Sequence, residues 1–246
     1  MYEPRTYQHW VKRKDLISFH VAVKETDLLV SALHNLKSKT EGLVTKYRGK
    51  LETYIGEHPP FLRSLAPVAV GADAPDIVRA MAEAAAKVGV GPMAAVAGAI
   101  AGFVGRELSQ FSPEIIIENG GDIYLRSLKP RLVGIYAGKS PLTGKVGLEI
   151  NAGDTPLGIS TSSGTVGHSL SLGRADAVTV LSPSAALADA AATAIGNMIK
   201  EPDDIPDGIE FARNIIGISG VLIIIDEKIG LWGKVRLMRT AVSETT

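Results

Sequence analysis

Between Pro113 and Leu181 the chain is written as short apolar runs cut by turn-forming residues, and no other feature limits its fold more. Runs at 114–118, 122–126, 131–137, 145–150, 157–160 and 176–181 follow one another at hairpin spacing, which predicts an antiparallel sheet. Residues 5–32 also read as strands, clearest over 17–23, as do 221–226 and 232–238 near the end. Helical patterns occupy 43–55, 76–88, 93–108 and 184–199. Strand groups separated by helical groups predict an α+β fold, a mainly antiparallel sheet with packed helices, rather than a doubly wound one. One domain over 1–246 is expected. The order strands, helices, strands suggests two related halves meeting near residue 110, although no sequence repeat supports it.

The helix at 93–108 is apolar nearly all round and must be covered. Gly98 and Gly102, four apart, permit close backbone approach there. Arg106 and Glu107 end the run too early for a membrane helix. Asp73 is the expected cap of the 76–88 helix, and Ser182 with Pro183 the expected start of the 184–199 helix. Val221 to Ile225 and Leu231-Trp232 read as an apolar sheet edge, which favours a homodimer. Lysine plus arginine equals aspartate plus glutamate, 26 each, so no nucleic-acid partner is expected. The absence of cysteine excludes disulfides, thiolate chemistry and cysteine-ligated metals. No apolar stretch is long enough to span a bilayer and the first ten residues lack a signal-peptide core, so the expectation is a cytoplasmic protein without membrane contact.

Three polar clusters interrupt the apolar elements. Asp189 lies past the first turn of its helix, where it no longer serves the helix dipole, and Thr193 is one turn further on the same face. Two hard oxygens so placed suit magnesium, although on spacing alone a solvent-facing Asp with Thr bonded to a carbonyl is the simpler account. Asn119-Gly120-Gly121-Asp122 follows an apolar strand. A hairpin turn alone accounts for it, while side-chain-free backbone also lets a ligand approach. Thr161, Ser162, Ser163 and Gly164 can cup a phosphate through backbone N–H groups, with His168 as a general base, or form a plain polar turn with a surface histidine.

Read in order, these motifs resemble the ApbE-like superfamily of flavin transferases. The resemblance rests on Gly120-Gly121-Asp122-Ile123, Gly134-Ile135, Ile159 to Gly164, Val178-Thr179-Val180 and Ala188-Asp189-Ala190-Ala191-Ala192-Thr193-Ala194. It implies a T-fold-like, duplicated α+β architecture. It implies magnesium on Asp189 and Thr193, FAD or FMN as the phosphate-bearing ligand, and transfer of FMN to a protein threonine. The flavin transferases carry Lys-Gly-Tyr-Ala-Val-Asp where this chain has Gly91 to Gly98, without lysine, tyrosine or aspartate. After His168, Leu170 to Arg174 stands where Asp-Pro is expected. The expectation is therefore ligand binding without efficient flavinylation. The chain also looks like the small soluble branch associated with anaerobic sulfur assimilation, which gives the alternative of a non-transferase accessory or binding protein.

Overall fold

Three successive isoleucines, Ile115, Ile116 and Ile117, are all fully buried. Neighbouring strand side chains point to opposite faces, so this strand needs apolar cover on both sides. The computed structural model, which describes residues 15–164 and 172–240, supplies it with three layers. In chain order the strands are β1 (Ile17–Val23), β2 (Thr26–Ala32), β3 (Ile115–Asn119), β4 (Asp122–Arg126), β5 (Arg131–Gly134), β6 (Val146–Ile150), β7 (Leu157–Ser162), β8 (Ala177–Ser182), β9 (Gly220–Ile225), β10 (Lys228–Gly233) and β11 (Leu237–Arg239). The helices are α1 (Lys37–Glu57), α2 (Pro60–Arg63), α3 (Asp76–Val88), α4 (Val96–Leu108), α5 (Ala185–Met198) and α6 (Ile205–Arg213). The middle layer is an eight-stranded antiparallel sheet in the order β1-β2-β3-β4-β7-β8-β9-β10. Helices cover one face, meeting Ile115, Ile117, Val178 and Val180. The three-stranded sheet β11-β6-β5 covers the other, meeting Ile116, Ile159, Leu181 and Leu222.

The large sheet reads as two successive units. In each, a hairpin leads into helices and the chain returns as a second hairpin beside the first: β1-β2, α1 to α4, β3-β4, then β7-β8, α5 and α6, β9-β10. The units join where β4 pairs with β7, from Asp122 opposite Ser160 to Leu125 opposite Leu157.

Small residues set the helix layer. A Cβ on Gly98 would lie 2.3 Å from the Ala185 carbonyl oxygen, and one on Gly102 3.3 Å from the Ala185 Cβ. At Gly105 it would enter the Tyr124 ring, 2.1 Å from its nearest carbon. The two glycines four apart thus seat α4 on α5, and the third seats it on β4. Cover for the apolar helix comes from within the chain.

Several expectations need correction. The α5 N-cap is Ser184, whose Oγ accepts from Leu187 N, and Ser182 instead accepts from Ser184 N. Pro75, not Asp73, precedes the first residue of α3. The 93–108 segment opens as a 3-10 turn over Pro92–Ala95 before α4 begins. Val221 to Ile225 is not an edge: β9 pairs with β8 on one side and β10 on the other, which is why it is apolar on both faces. The edge is β10, with a more exposed pattern. Among the described residues no single helix is long and apolar enough to cross a membrane.

One buried ion pair ties the layers together. Arg131 on β5 meets the carboxylate of Glu114, just before β3, and both side chains are buried. Arg131 Nη1 and Nη2 also donate to Asp15 at 2.7 and 3.0 Å, and Arg131 Nε donates to Ser127 Oγ at 3.0 Å. Removing one partner leaves the other charge buried and uncompensated. Arg131→Met is expected to cost about 3–5 kcal/mol in urea unfolding, and the double change with Glu114→Gln to recover part of that loss.

Candidate functional site

Alternation along β4 and β7 decides which predicted residues meet. Ile123 and Ile159 face the small sheet, so Asp122, Ser160 and Ser162 face the helices. Asp122 and Ser160 are direct register partners. Asp189 on α5 lies across from them, and its carboxyl is within hydrogen-bonding reach of Asp122. The Gly98 amide, at the N-terminal end of α4, donates to Asp189 Oδ2 at 2.9 Å. Asn119 Nδ2 donates to the Ala97 carbonyl at 3.1 Å, tying the β3–β4 turn to the same end of α4.

The sequence therefore pointed to a real cluster but to only part of its membership. Asn119, Asp122 and Asp189 converge. Gly120 and Gly121 form the two-residue turn above them, with φ 69° at Gly120 as the primed hairpin turns require. Gly121 has a packing reason as well, since a Cβ there would lie 2.5 Å from the Thr161 carbonyl oxygen. Thr193 is half-buried one turn beyond Asp189, and Gly196, on the same stripe, faces Ser162. Thr161 departs: it shares the parity of Ile159, turns to the small-sheet side and hydrogen-bonds Thr179 Oγ1 at 2.9 Å. Gly164 is exposed and its amide binds the Ala175 carbonyl, while Ser163 is half-buried. His168 lies outside the described residues.

The electrostatics of the pair are unusual. Burial pushes the Asp122 carboxyl up to about 7, with Ser160 and Asp189 pulling it back. Burial and then the charge of Asp122 push Asp189 well above the carboxylate range, against the amides of Gly98 and Ala97. Two carboxyls out of water cannot both ionise cheaply, so they share one proton near neutrality. Ser160, 1% exposed, lies close enough to ease charge on Asp122, yet its Oγ is outside hydrogen-bonding geometry with any described residue.

Beside the pair, sharing Ala97 and Asn119, opens a cavity of about 650 Å³. Leu51, Ile55, Met93, Val96 and Ile100 make its walls, and Lys24, Glu25, Arg48 and Glu52 its rim. The rim is cross-linked: Lys24 Nζ is 2.5 Å from Glu52, and Arg48 binds Glu52 at 2.9 Å and Thr26 at 2.8 Å. Neither the cavity nor Ser160 stands out in sequence. The parity of Ile159 is the one signal that assigns Ser160 to the Asp122 side.

The donors suit a hard cation. Two carboxyls and the hydroxyls of Ser160 and Thr193 are oxygen ligands of the kind magnesium takes. Among the described residues no group of three or more His, Asp or Glu could hold a metal alone, so the shell would need phosphate or water oxygens.

Residues 8–208 match the family model described as AbpE bacteria. A UPF0280 protein of Methanocaldococcus jannaschii is 44% identical over 232 residues, covering 92% of each chain. A UPF0280 protein of Methanocella arvoryzae is 42% identical over 213 residues, covering 86% of each. Among solved structures, the apo flavinyl transferase ApbE of Pseudomonas stutzeri superposes with a TM-score of 0.58 at 16% identity, over 89% of this chain and 94% of that one. The apbe protein of Thermotoga maritima gives 0.55 at 12%, over 87% and 96%. At such identities the likeness is one of fold.

The carboxyl pair makes a pH prediction. Asp122 holds its proton to about pH 7 when folded and loses it near the ordinary aspartate value when unfolded, so between those values the folded state binds more protons. Stability without ligand or metal therefore falls as pH rises from 5 to 8. Asp189→Asn keeps an acceptor for Gly98 and offers Asp122 a donor. It should be more stable than the parent at pH 8, on the order of 1–3 kcal/mol, and lose that advantage toward pH 5. Urea titrations in a metal-chelating buffer measure both.

Proposed function

The chain belongs to this ApbE-like family, and from that premise we propose that it binds a phosphate-bearing flavin nucleotide, FAD or FMN, with magnesium, and does not efficiently flavinylate a protein threonine. The observation that carries the reading is the Asp122–Asp189 pair, Asp122 buried and Asp189 half-buried, beside an apolar cavity whose lining includes their neighbours Asn119 and Ala97. The cavity volume is in the range of small-molecule sites, and its aliphatic walls suit the flat apolar body of a ring system. The cavity and the pair share one border, so a single ligand can place its ring in the first and its phosphate beside the second. Magnesium, when bound, supplies charge neutralisation for the phosphates and polarises a phosphoryl oxygen.

The residues of this chain then do the rest. Asp189 presents a carboxylate whose other oxygen is fixed by the Gly98 amide, so its orientation is set before any ligand arrives. Asn119 fixes the first turn of α4 against the hairpin, and so fixes the border of the cavity. Arg48 and Lys24 stand at the rim paired with Glu25 and Glu52, so an anionic ligand engages them only in competition with those carboxylates. Group transfer also needs a residue to receive the proton of the attacking hydroxyl. The first turn of α4 carries no lysine and no acid to do so. This is the ground for expecting binding without efficient transfer.

Isothermal titration with FAD, FMN and ADP, with magnesium and with chelator, tests the binding. The expected result is micromolar affinity for FMN or FAD with magnesium. Ile100→Trp, which fills the cavity, should weaken flavin binding at least tenfold and ADP much less. No binding of any of the three at millimolar concentration, in either buffer, would overturn the reading. Incubation with FAD, magnesium and an acceptor domain, followed by intact-mass measurement, tests the second half. An FMN-sized increase in acceptor mass would refute it.

A further inference from the structure

We infer that Asp122 and Ser160 complete a divalent-cation site with Asp189, so that the cation is gripped between the sheet and α5 rather than held by α5 alone. The inference rests on the nucleotide reading only for the ligand-side oxygens of the shell. Its protein-side oxygens stand on geometry.

Three observations converge. Asp122 and Ser160 are register partners on adjacent strands, and the parity of Ile123 and Ile159 turns both toward α5. Asp189 comes down from α5 to within reach of Asp122. Its Oδ2 accepts from the Gly98 amide at 2.9 Å, and the Ala97 amide also lies against the same carboxyl, so the backbone of α4 holds it over the strands. Ser160 contributes a hydroxyl that is almost wholly buried and, among the described residues, has no hydrogen-bond partner in proper geometry. A buried hydroxyl is normally satisfied, and one left open beside two carboxyls marks a missing partner. A cation answers all three conditions: it balances two acids, takes the hydroxyl as a neutral ligand and accepts hard oxygens only.

A purely structural role accounts for the group less well. If the pair only joined β4 to α5, an Asp–Asn or Asn–Ser contact would serve without placing two acids out of water. The seat is also built rather than incidental. Gly98 can have no side chain, since a Cβ would lie 2.8 Å from that of Asp189, so the backbone of α4 closes one wall. Asn119, the register partner of Asp122, lies on the cavity lining, so the remaining ligands of a cation here would be phosphate or water oxygens supplied from that side. The ligand class is therefore magnesium or manganese(II) carrying a phosphate ester, with at most three protein ligands from these residues.

Manganese(II) replaces magnesium as the probe, followed by loss of the free-ion EPR signal at pH 7.5, with FMN absent and present. Wild type, Asp122→Asn, Ser160→Ala and Asp189→Asn are compared, with circular dichroism and melting temperature to confirm folding. The expected result is at least tenfold weaker manganese binding for Asp122→Asn, a several-fold loss for Ser160→Ala, and the greatest loss for Asp189→Asn. Both sheet variants are near-isosteric, and loss of the acid should raise the melting temperature of the metal-free protein, so weak binding will not reflect unfolding. Unchanged binding in Asp122→Asn and Ser160→Ala, with loss confined to Asp189→Asn, would overturn the inference. So would a wild type that binds no manganese with FMN present. FMN titration of the same samples in chelator separates the two readings, because flavin can still bind when the cation site fails.

Discussion

The approach of α4 to α5 governs this molecule. Gly98 and Gly102 let the two helices come close enough that the Ala185 carbonyl occupies the space a side chain at 98 would need. That contact sets the height of α5 above the sheet and brings Asp189 down to the strands. It also turns the Gly98 amide onto Asp189 Oδ2. A methyl at 98 would push the helices apart, and the carboxyl would lose its amide and its position over Asp122 together. The packing of the helix layer and the geometry of the site are thus one constraint.

The fold tolerates a cost at the place where it does its work. Most of the helix-facing side is alanine, valine and isoleucine, which pack without polar demands. Into it the chain sets two acids and an open hydroxyl. Such groups lower stability unless something neutralises them, and well-packed apolar side chains would be easier to bury. At the layer-joining cluster, by contrast, buried charge is closely met: Arg131 has Glu114 and Asp15 about it and Ser127 beside it. The contrast separates a charge cluster that secures layers from one that awaits a ligand.

Much of this was legible in the sequence, for physical reasons that also explain the gaps. The β3–β4 hairpin announced itself because Gly120 and Gly121 have few other uses after an apolar run. The Gly98 and Gly102 spacing gave the helix contact, though not its partner. The placing of Asp189 and Thr193 on one face followed from helical periodicity alone. What could not be read was pairing between distant strands. An apolar run such as Val221 to Ile225 looks the same at the edge of a sheet and in its interior. Thr161 was grouped with its serine neighbours because adjacency in sequence hides the alternation of a strand, which sends it to the far face. The cavity was invisible because its walls come from α1, α4 and a turn some seventy residues apart, all built of ordinary core residues.

The seam between the two units has a mechanical consequence. β4 and β7 share only four register positions, and the carboxyl pair straddles them, one acid on each side. Asn119, Asp122 and Gly98 come from the first unit, and Ser160 and Asp189 from the second. Once the shared proton is lost above neutrality, repulsion between the acids strains this seam, and whatever quenches it works as a latch. A slide of one half past the other by a fraction of a bond length would loosen or tighten the grip.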